Sequence, residues 1–447
     1  MQFLVNDYSL EQYALDLRWK DIPNRIQNRV LMCSIDLMTA LVLGSRSNQF
    51  ECGLKLAQSL GLRGELPVVG EANAGLNFLG ASIVMGHASN SFDIDDGFNL
   101  IKGHPGASFV GGTLAAALDV DADYEDYLVT LAICYEVGIR WALAMQKHYN
   151  YLHSTGSYGA FATALGAGKL RRLSASQLKC ALSIADFHAP MVPVMRAVEY
   201  PSMNKDGVPF GSLIGAMAVL ETYYGVTGAT HLLECPEFRY LVDTLGQRYY
   251  IEELYFKPYT CCRWAHQPID ACLKLMAECG FCCDDVERVT VHTFRSAAAL
   301  SKKRPLDTDE AQYNISFPVA CALVHGDVGY EQIRDEAVKD ERVLDMMERL
   351  SFVIDDDLEA LFPEKRKAWV EIKLKNGQMF CSEAVEAPGE STDPRLGLEW
   401  VENKFRRRTA GLISARGQND IIGFLKEPTG SVKEMVLQIN KAMLEVE

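Results

Sequence analysis

The sequence lacks the short motifs that mark a nucleotide site or a zinc-hydrolase site. No G-x-G-x-x-G opens a strand–helix unit, and there is neither a P-loop nor an H-E-x-x-H. The glycine run GASFVGGT misses the dinucleotide spacing and reads as close helix packing. Thirteen cysteines make an odd count, which fits reduced thiols better than a disulfide framework. The adjacent pairs Cys261–Cys262 and Cys282–Cys283 do not have zinc-ligand spacing, because chain neighbours rarely hold one metal together. Neither a metal nor an organic cofactor is expected. The opening MQFLVNDYSLEQYALDLRWKDIP has no basic segment followed by an apolar core, and no uncharged apolar run reaches the roughly 18 residues of a membrane span. The expectation is a cytoplasmic protein. A net charge of −15 speaks against nucleic acid or an anionic membrane as partner. It leaves a small anionic ligand open, since a pocket can be basic on an acidic protein.

What is present is organised around His87–Leu118, HASNSFDIDDGFNLIKGHPGASFVGGTLAAAL. Asp93, Asp95 and Asp96 place three carboxylates within four residues, and Lys102 and His104 follow before the chain turns small and apolar. Carboxylates that close repel one another, so at least one needs a cation, a metal or a proton. Acid–base groups set just before a tightly packed helix are what a buried site for polar chemistry requires. The plainer alternative is a loop whose aspartates cap helices.

Around this stretch the chain of 447 residues, 48% hydrophobic, reads as about two or three domains with a large interior. Residues 8–62 show helical spacing in two or three segments, GELPVVGEANAG reads as a loop, and NFLGASIVMGHAS is helical again. EDYLVTLAICYEVGIRWALAMQKHY is a buried core helix in which Glu136 and Arg140 can pair at i,i+4. His153 precedes a Ser-Thr-Gly turn and a second small-residue helix. Ser174 starts another helix, with Asp186 and His188 at its end, either substrate-specific or a simple helix-end cluster. Lys257, Arg263 and His266 fall within ten residues. After residue 280 the spacing changes to that of strands. VERVTVHTF alternates, and AWVEIKLKNGQMFCSEAVE reads as a hairpin turning at Asn376–Gly377. Helical spacing returns near Trp400. The order implies a mainly α protein: a large helical domain, residues 1–270 completed by 405–447, and a smaller inserted α+β lid, residues 271–404.

HASNSFDIDD followed by GHPGA resembles the H-x-x-x-x-x-D-x-D-D…H-P-[GS] signature of the MmgE/PrpD family, which includes dehydratases, a decarboxylase and an epimerase of small carboxylates. HSTGSYGA, the Lys205 element KDG before a small-residue helix, GVTG, KPYTCCRWAHQPIDA, AQYNISFPVACAL and the Lys404–Phe405 region follow in the family's order. The resemblance implies a cofactor-independent lyase or isomerase acting by α-proton chemistry on a di- or tricarboxylate, with the site between body and lid and the chain a homodimer. It implies Asp93, His104, His153 and Lys257 as catalytic groups, with Lys205, Arg263, His266 and Cys262 at the substrate. Dehydration or hydration is the leading expectation, followed by epimerisation and decarboxylation. Decarboxylase members carry a histidine where this chain has Cys262, and some members carry a threonine where it has Gly97. The second histidine common after the Lys205 element is also missing, so a non-catalytic helical binding protein is the rival from another class.

Overall fold

In the computed structural model, which describes residues 9–446, helix accounts for 59% of the chain and strand for 11%, so the mainly α expectation holds. The readings made on residues 1–8 lie outside the described residues. The helices used below are α1 (Asn24–Gly44), α2 (Phe78–Asn90), α3 (Pro105–Asp119), α4 (Tyr124–Tyr149), α5 (Thr155–Leu170), α6 (Val208–Tyr223), α7 (His266–Cys279), α8 (Ser316–His325) and α9 (Leu398–Arg408). Helices α2, α3, α5 and α6 pack on one another through faces of glycine, alanine and serine. At Gly111 a Cβ would stand 2.5 Å from the backbone nitrogen of Gly86, so any larger residue would push α2 and α3 apart. Two helices, α1 and α4, have the length and apolarity of a membrane span, yet 83% and 94% of their most apolar windows are buried within the fold. Inside α4, Arg140 Nη1 donates to Glu136 Oε2 at 2.5 Å, and the same carboxylate receives the backbone N–H groups of Tyr250 and Ile251. This satisfies the charges expected there.

Two hydrophobic cores form. One draws on residues from Leu10 to Phe256 and again from Val401 to Met443. The other runs from Tyr259 to Leu374 and takes in Ala40, Leu43, Phe92 and Ile94 from the first part of the chain. The C-terminal helix Val432–Leu444 packs on α3.

The second core is built on a five-stranded sheet of β3 (Val286–Thr293), β4 (Leu350–Ile354), β5 (Lys367–Leu374), β6 (Met379–Cys381) and β7 (Val385–Glu386). The order is β4-β3-β5-β6, with β7 also on β5; β3 and β4 are parallel and the other pairs antiparallel. Ala368, Val370, Ile372 and Leu374 alternate inward along β5 and α7 covers them, as the period of two requires. One sequence expectation fails. GELPVVGEANAG is not a loop but a hairpin of β1 (Arg63–Val68) and β2 (Glu71–Leu76) turning at Gly70, where φ is +94°. Its register shifts twice within six residues, which breaks the alternation that would have revealed it.

Candidate functional site

The loop between α2 and α3 is pinned at both ends. Asn90, the last residue of α2, donates through Nδ2 to Asp95 Oδ1 at 3.0 Å. Asp96 accepts the Gly106 N–H at 3.0 Å at the start of α3 and also the Tyr135 hydroxyl. Burial and the Asp36 charge push the Asp96 carboxyl up to about 7, so it is the member of the three crowded carboxylates that most readily holds a proton. Asp36 is itself paired with Lys404 of α9, whose ammonium also donates to Ile94 O at 2.6 Å. Asp96 thus fixes the turn that presents His104, whose backbone N–H donates to Tyr158 Oη at 2.9 Å.

The His104 imidazole sits among three carboxylates. Nδ1 is 2.9 Å from Asp95 Oδ2, and Nε2 is 3.5 Å from both Asp93 Oδ1 and Asp206 Oδ2. Lys257 Nζ stands 3.2 Å from Asp93 Oδ2 and 3.3 Å from His104 Nδ1. Burial and the Lys257 charge press the His104 pKa down, but Asp95 and Asp93 outweigh them and the net shift is upward. The opposite holds for Asp95. Burial raises it, His104 and Lys257 lower it, and its carboxyl ends well below the usual range. Lys257 is held above its ordinary value by Asp93 and Asp95 against the cost of burial. Asp206 comes from the loop before α6, accepts the Thr155 hydroxyl at 3.2 Å and leaves Oδ1 buried without a partner among the described residues. Burial raises its pKa.

Asp93, Asp95 and His104 could offer ligand atoms within 4.8 Å of one another, the donor set of a divalent-metal site. The Lys257 ammonium already stands at hydrogen-bond distance from that set, and a dication beside it would meet direct repulsion. Cys279 and Cys282 do have the C-x-x-C spacing that the adjacent cysteine pairs lack, but no third and fourth ligand joins them among the described residues.

These groups form one end of a cavity of about 360 Å³ between the two cores. Its remaining wall is largely apolar, with Val198, Trp264 and Phe362 among its side chains, and it carries Lys102, Arg263 and Arg366. Of the residues anticipated from sequence, Asp93, His104, Lys257, Cys262 and Arg263 line this cavity. His153 does not. A backbone bridge to Pro193 and ring contacts with Tyr149 and Tyr151 hold it aside, neither ring nitrogen has a hydrogen-bond partner, and burial lowers its pKa to about 4. Lys205 is turned to Gln312 and to Asp309 at 3.8 Å, and its neighbour Asp206 reaches the cavity instead. His266 is buried behind the wall, with Nε2 3.0 Å from Cys261 O and Nδ1 3.4 Å from Arg263. Asp186 accepts the Leu232 N–H at 2.6 Å, His188 is exposed, and neither lines this cavity.

Sequence reasoning passed over Asp206, Tyr255, Tyr313 and Arg366, all of which line the cavity. Asp206 could have been found from its place beside Lys205 in the K-D-G element, whereas Arg366 lies before a strand with no local signal. Residues 8–246 match the MmgE/PrpD N-terminal domain and residues 259–426 the MmgE/PrpD C-terminal domain. Comparison with curated proteins finds no match. With both family domains matched in order across nearly the whole chain, the protein belongs to the MmgE/PrpD family.

Proposed function

We propose that this protein is a cofactor-independent enzyme acting by α-proton chemistry on a small di- or tricarboxylate, with dehydration or hydration as its reaction. Members of the family are generally enzymes acting on carboxylates. The observation that carries the reading is the placement of His104 between Asp93, Asp95 and Asp206 with Lys257 beside it, in the wall of the cavity. Lys257 is a fixed cation for the charge that grows on a carboxylate when its α-proton leaves. Asp206, with a free buried oxygen and a raised pKa, suits proton abstraction. His104, whose pKa the neighbouring Asp95 and Asp93 raise, suits delivery of a proton to a departing hydroxyl. Proton acceptor and donor crowd one end of the cavity, which favours elimination over epimerisation, where two groups must face one carbon from opposite sides. Decarboxylation ranks third, since Cys262 replaces the histidine of decarboxylase members and burial pushes its thiol up to about 12, leaving it neutral.

Proton NMR in deuterated water, with the purified protein and citrate, 2-methylcitrate, aconitate and iminodisuccinate in turn, tests this reading. Deuterium entering an α-position of at least one acid is expected, with loss or gain of water in the best case. No exchange in any of them would favour the non-catalytic binding protein. We also propose a homodimer. Helix α6, VPFGSLIGAMAVLETY, has almost no polar face, yet Phe210, Met217 and Tyr223 are exposed on it. A second copy of this surface would cover them, and a monomeric mass at micromolar concentration would exclude it.

A further inference from the structure

The reacting end of the cavity has no positive charge to spare. Lys257 and His104 face Asp93, Asp95 and Asp206, so a substrate with several carboxylates needs its remaining charge met elsewhere. Other parts of the wall are cationic. Arg366, immediately before β5, is 6% exposed and lines the cavity, and its buried Nη2 has no hydrogen-bond partner among the described residues. The carboxylate beside it, Glu390, is 3.6 Å away and is taken by Arg263, which donates to Glu390 Oε1 at 2.9 Å. Arg263 also donates to Pro388 O at 2.9 Å and Ala387 O at 3.3 Å, so most of its donors are spent on structure. The two guanidiniums stand 4.7 and 5.1 Å from the centre of the Tyr255 ring, which gives both a fixed aromatic support. Lys102 Nζ lies 5.0 Å from the Phe362 ring on the same wall and adds a third cation.

We propose that Arg366, rather than Arg263, is the receptor for a second carboxylate of the substrate, so that the cavity selects small polycarboxylates over monocarboxylates of the same length. A planar guanidinium with free forked donors matches a carboxylate in two parallel hydrogen bonds. The substrate would then be held by Lys257 and His104 through one carboxylate and by Arg366 through another. This rests on the carboxylate reading given above, but its test is a binding measurement and does not need turnover.

Titration calorimetry of the full chain at pH 7 with tricarballylate, which has three carboxylates and no hydroxyl to eliminate, and with butyrate supplies the test. Wild type should bind tricarballylate at least tenfold more tightly than butyrate. Arg366→Gln should weaken tricarballylate by about 10- to 100-fold, the worth of a charge-assisted forked contact, and leave butyrate within about twofold. Arg366→Lys should fall between, since it keeps the charge and loses the fork. Unchanged tricarballylate affinity in Arg366→Gln, or equal affinity of wild type for the two acids, would overturn the proposal. If Arg366→Gln does not fold, Arg366→Lys decides, because it keeps the charge and loses only the fork, and tricarballylate affinity unchanged in that variant counts against Arg366. Deuterium exchange failing while this selectivity holds would remove the catalytic reading alone.

Discussion

Lys257→Met is the perturbation that weighs the site most directly, because it removes one charge and keeps the side-chain volume. Lys257 and Asp93 are both almost fully buried, at 3.2 Å. At that distance an effective dielectric near 20 gives an attraction of about 5 kcal/mol. Removing one partner of a buried pair costs about 3–5 kcal/mol, because the remaining charge stays without water. The two figures agree, so Lys257→Met should lower stability by that amount at pH 7. The abandoned carboxylate can escape the cost by taking a proton, so the deficit should shrink as the pH falls toward 5. Lys257→Met/Asp93→Asn removes the stranded charge and should recover about 2–3 kcal/mol, the larger part of what was lost. Activity should not recover. Both variants lack the cation at the developing enediolate and should lose roughly 10²–10³ in kcat/KM, the usual worth of one such stabilising group. Urea denaturation followed by circular dichroism at pH 7 and 5, beside the deuterium-exchange rate, reads both quantities. A single variant that costs under about 1 kcal/mol, or a double variant no more stable than the single, would refute the ion-pair reasoning. Exchange restored in the double variant would refute the catalytic role.

His104→Ala should cut kcat by about 10²–10⁴ with substrate still bound, the usual contribution of a general acid or base. His153→Ala should leave turnover within about tenfold, since the ring packs among Tyr149 and Tyr151 away from the cavity, and a loss as large as that of His104→Ala would restore the sequence assignment. Activity should survive exhaustive chelation with EDTA. Loss that one divalent metal restores would show that Asp93, Asp95 and His104 bind it despite Lys257. Asp96 folds with its pKa lifted to about 7 from 3.8, so the unfolded chain loses this proton first as pH rises. Its contribution to stability should therefore decline between about pH 4 and 7 and level off above, and Asp96→Asn should flatten that decline in melting curves. His104 has the same sign, in a window that begins at higher pH. Its raised pKa contributes stability that is complete below the unfolded value of 6.5 and is lost as pH climbs through the folded one.

The parts of the fold legible in the sequence were those with a clean period. The α4 stripe, the alternation in β3 and β5 and the Asn376–Gly377 turn all appear where their residues place them. The β1–β2 hairpin was hidden because its bulges interrupt the alternation. At the site, the stretch from Asp93 to His104 was visible since its carboxylates are dense enough to demand compensation within the same loop. Distant partners left no such mark. Which cation answers which carboxylate depends on how the loop before α6, the Lys257 loop and the start of β5 meet, and Asp206 and Arg366 are 160 positions apart. The short distance in sequence from Lys205 to Asp206 misled for a related reason. Adjacent residues on a turn point different ways, and Lys205, at φ +40°, faces Gln312 while Asp206 faces His104.

Gly97 shows how one departure from the family pattern connects to the cationic part of the cavity wall. Where some members carry a threonine, a Cβ here would lie 2.2 Å from Tyr255 Cζ and 2.3 Å from its hydroxyl oxygen, so the phenol occupies the volume a side chain at 97 would need. The two segments are locked in that register by reciprocal backbone hydrogen bonds between Gly97 and Tyr255, at 3.0 and 2.9 Å. Gly97 therefore cannot gain a side chain while Tyr255 stays in place. A threonine at 97 would expel the Tyr255 ring, on which both the Arg263 and the Arg366 guanidinium pack. Both arginines also converge on Glu390 Oε1, at 2.9 and 3.6 Å, so the ring and one carboxylate together fix their positions. The glycine that departs from some members is, in the folded chain, the condition for a tyrosine in the cavity wall and for the two arginines packed on it. Gly97 and Tyr255 are thus one structural choice, made in two segments 158 residues apart.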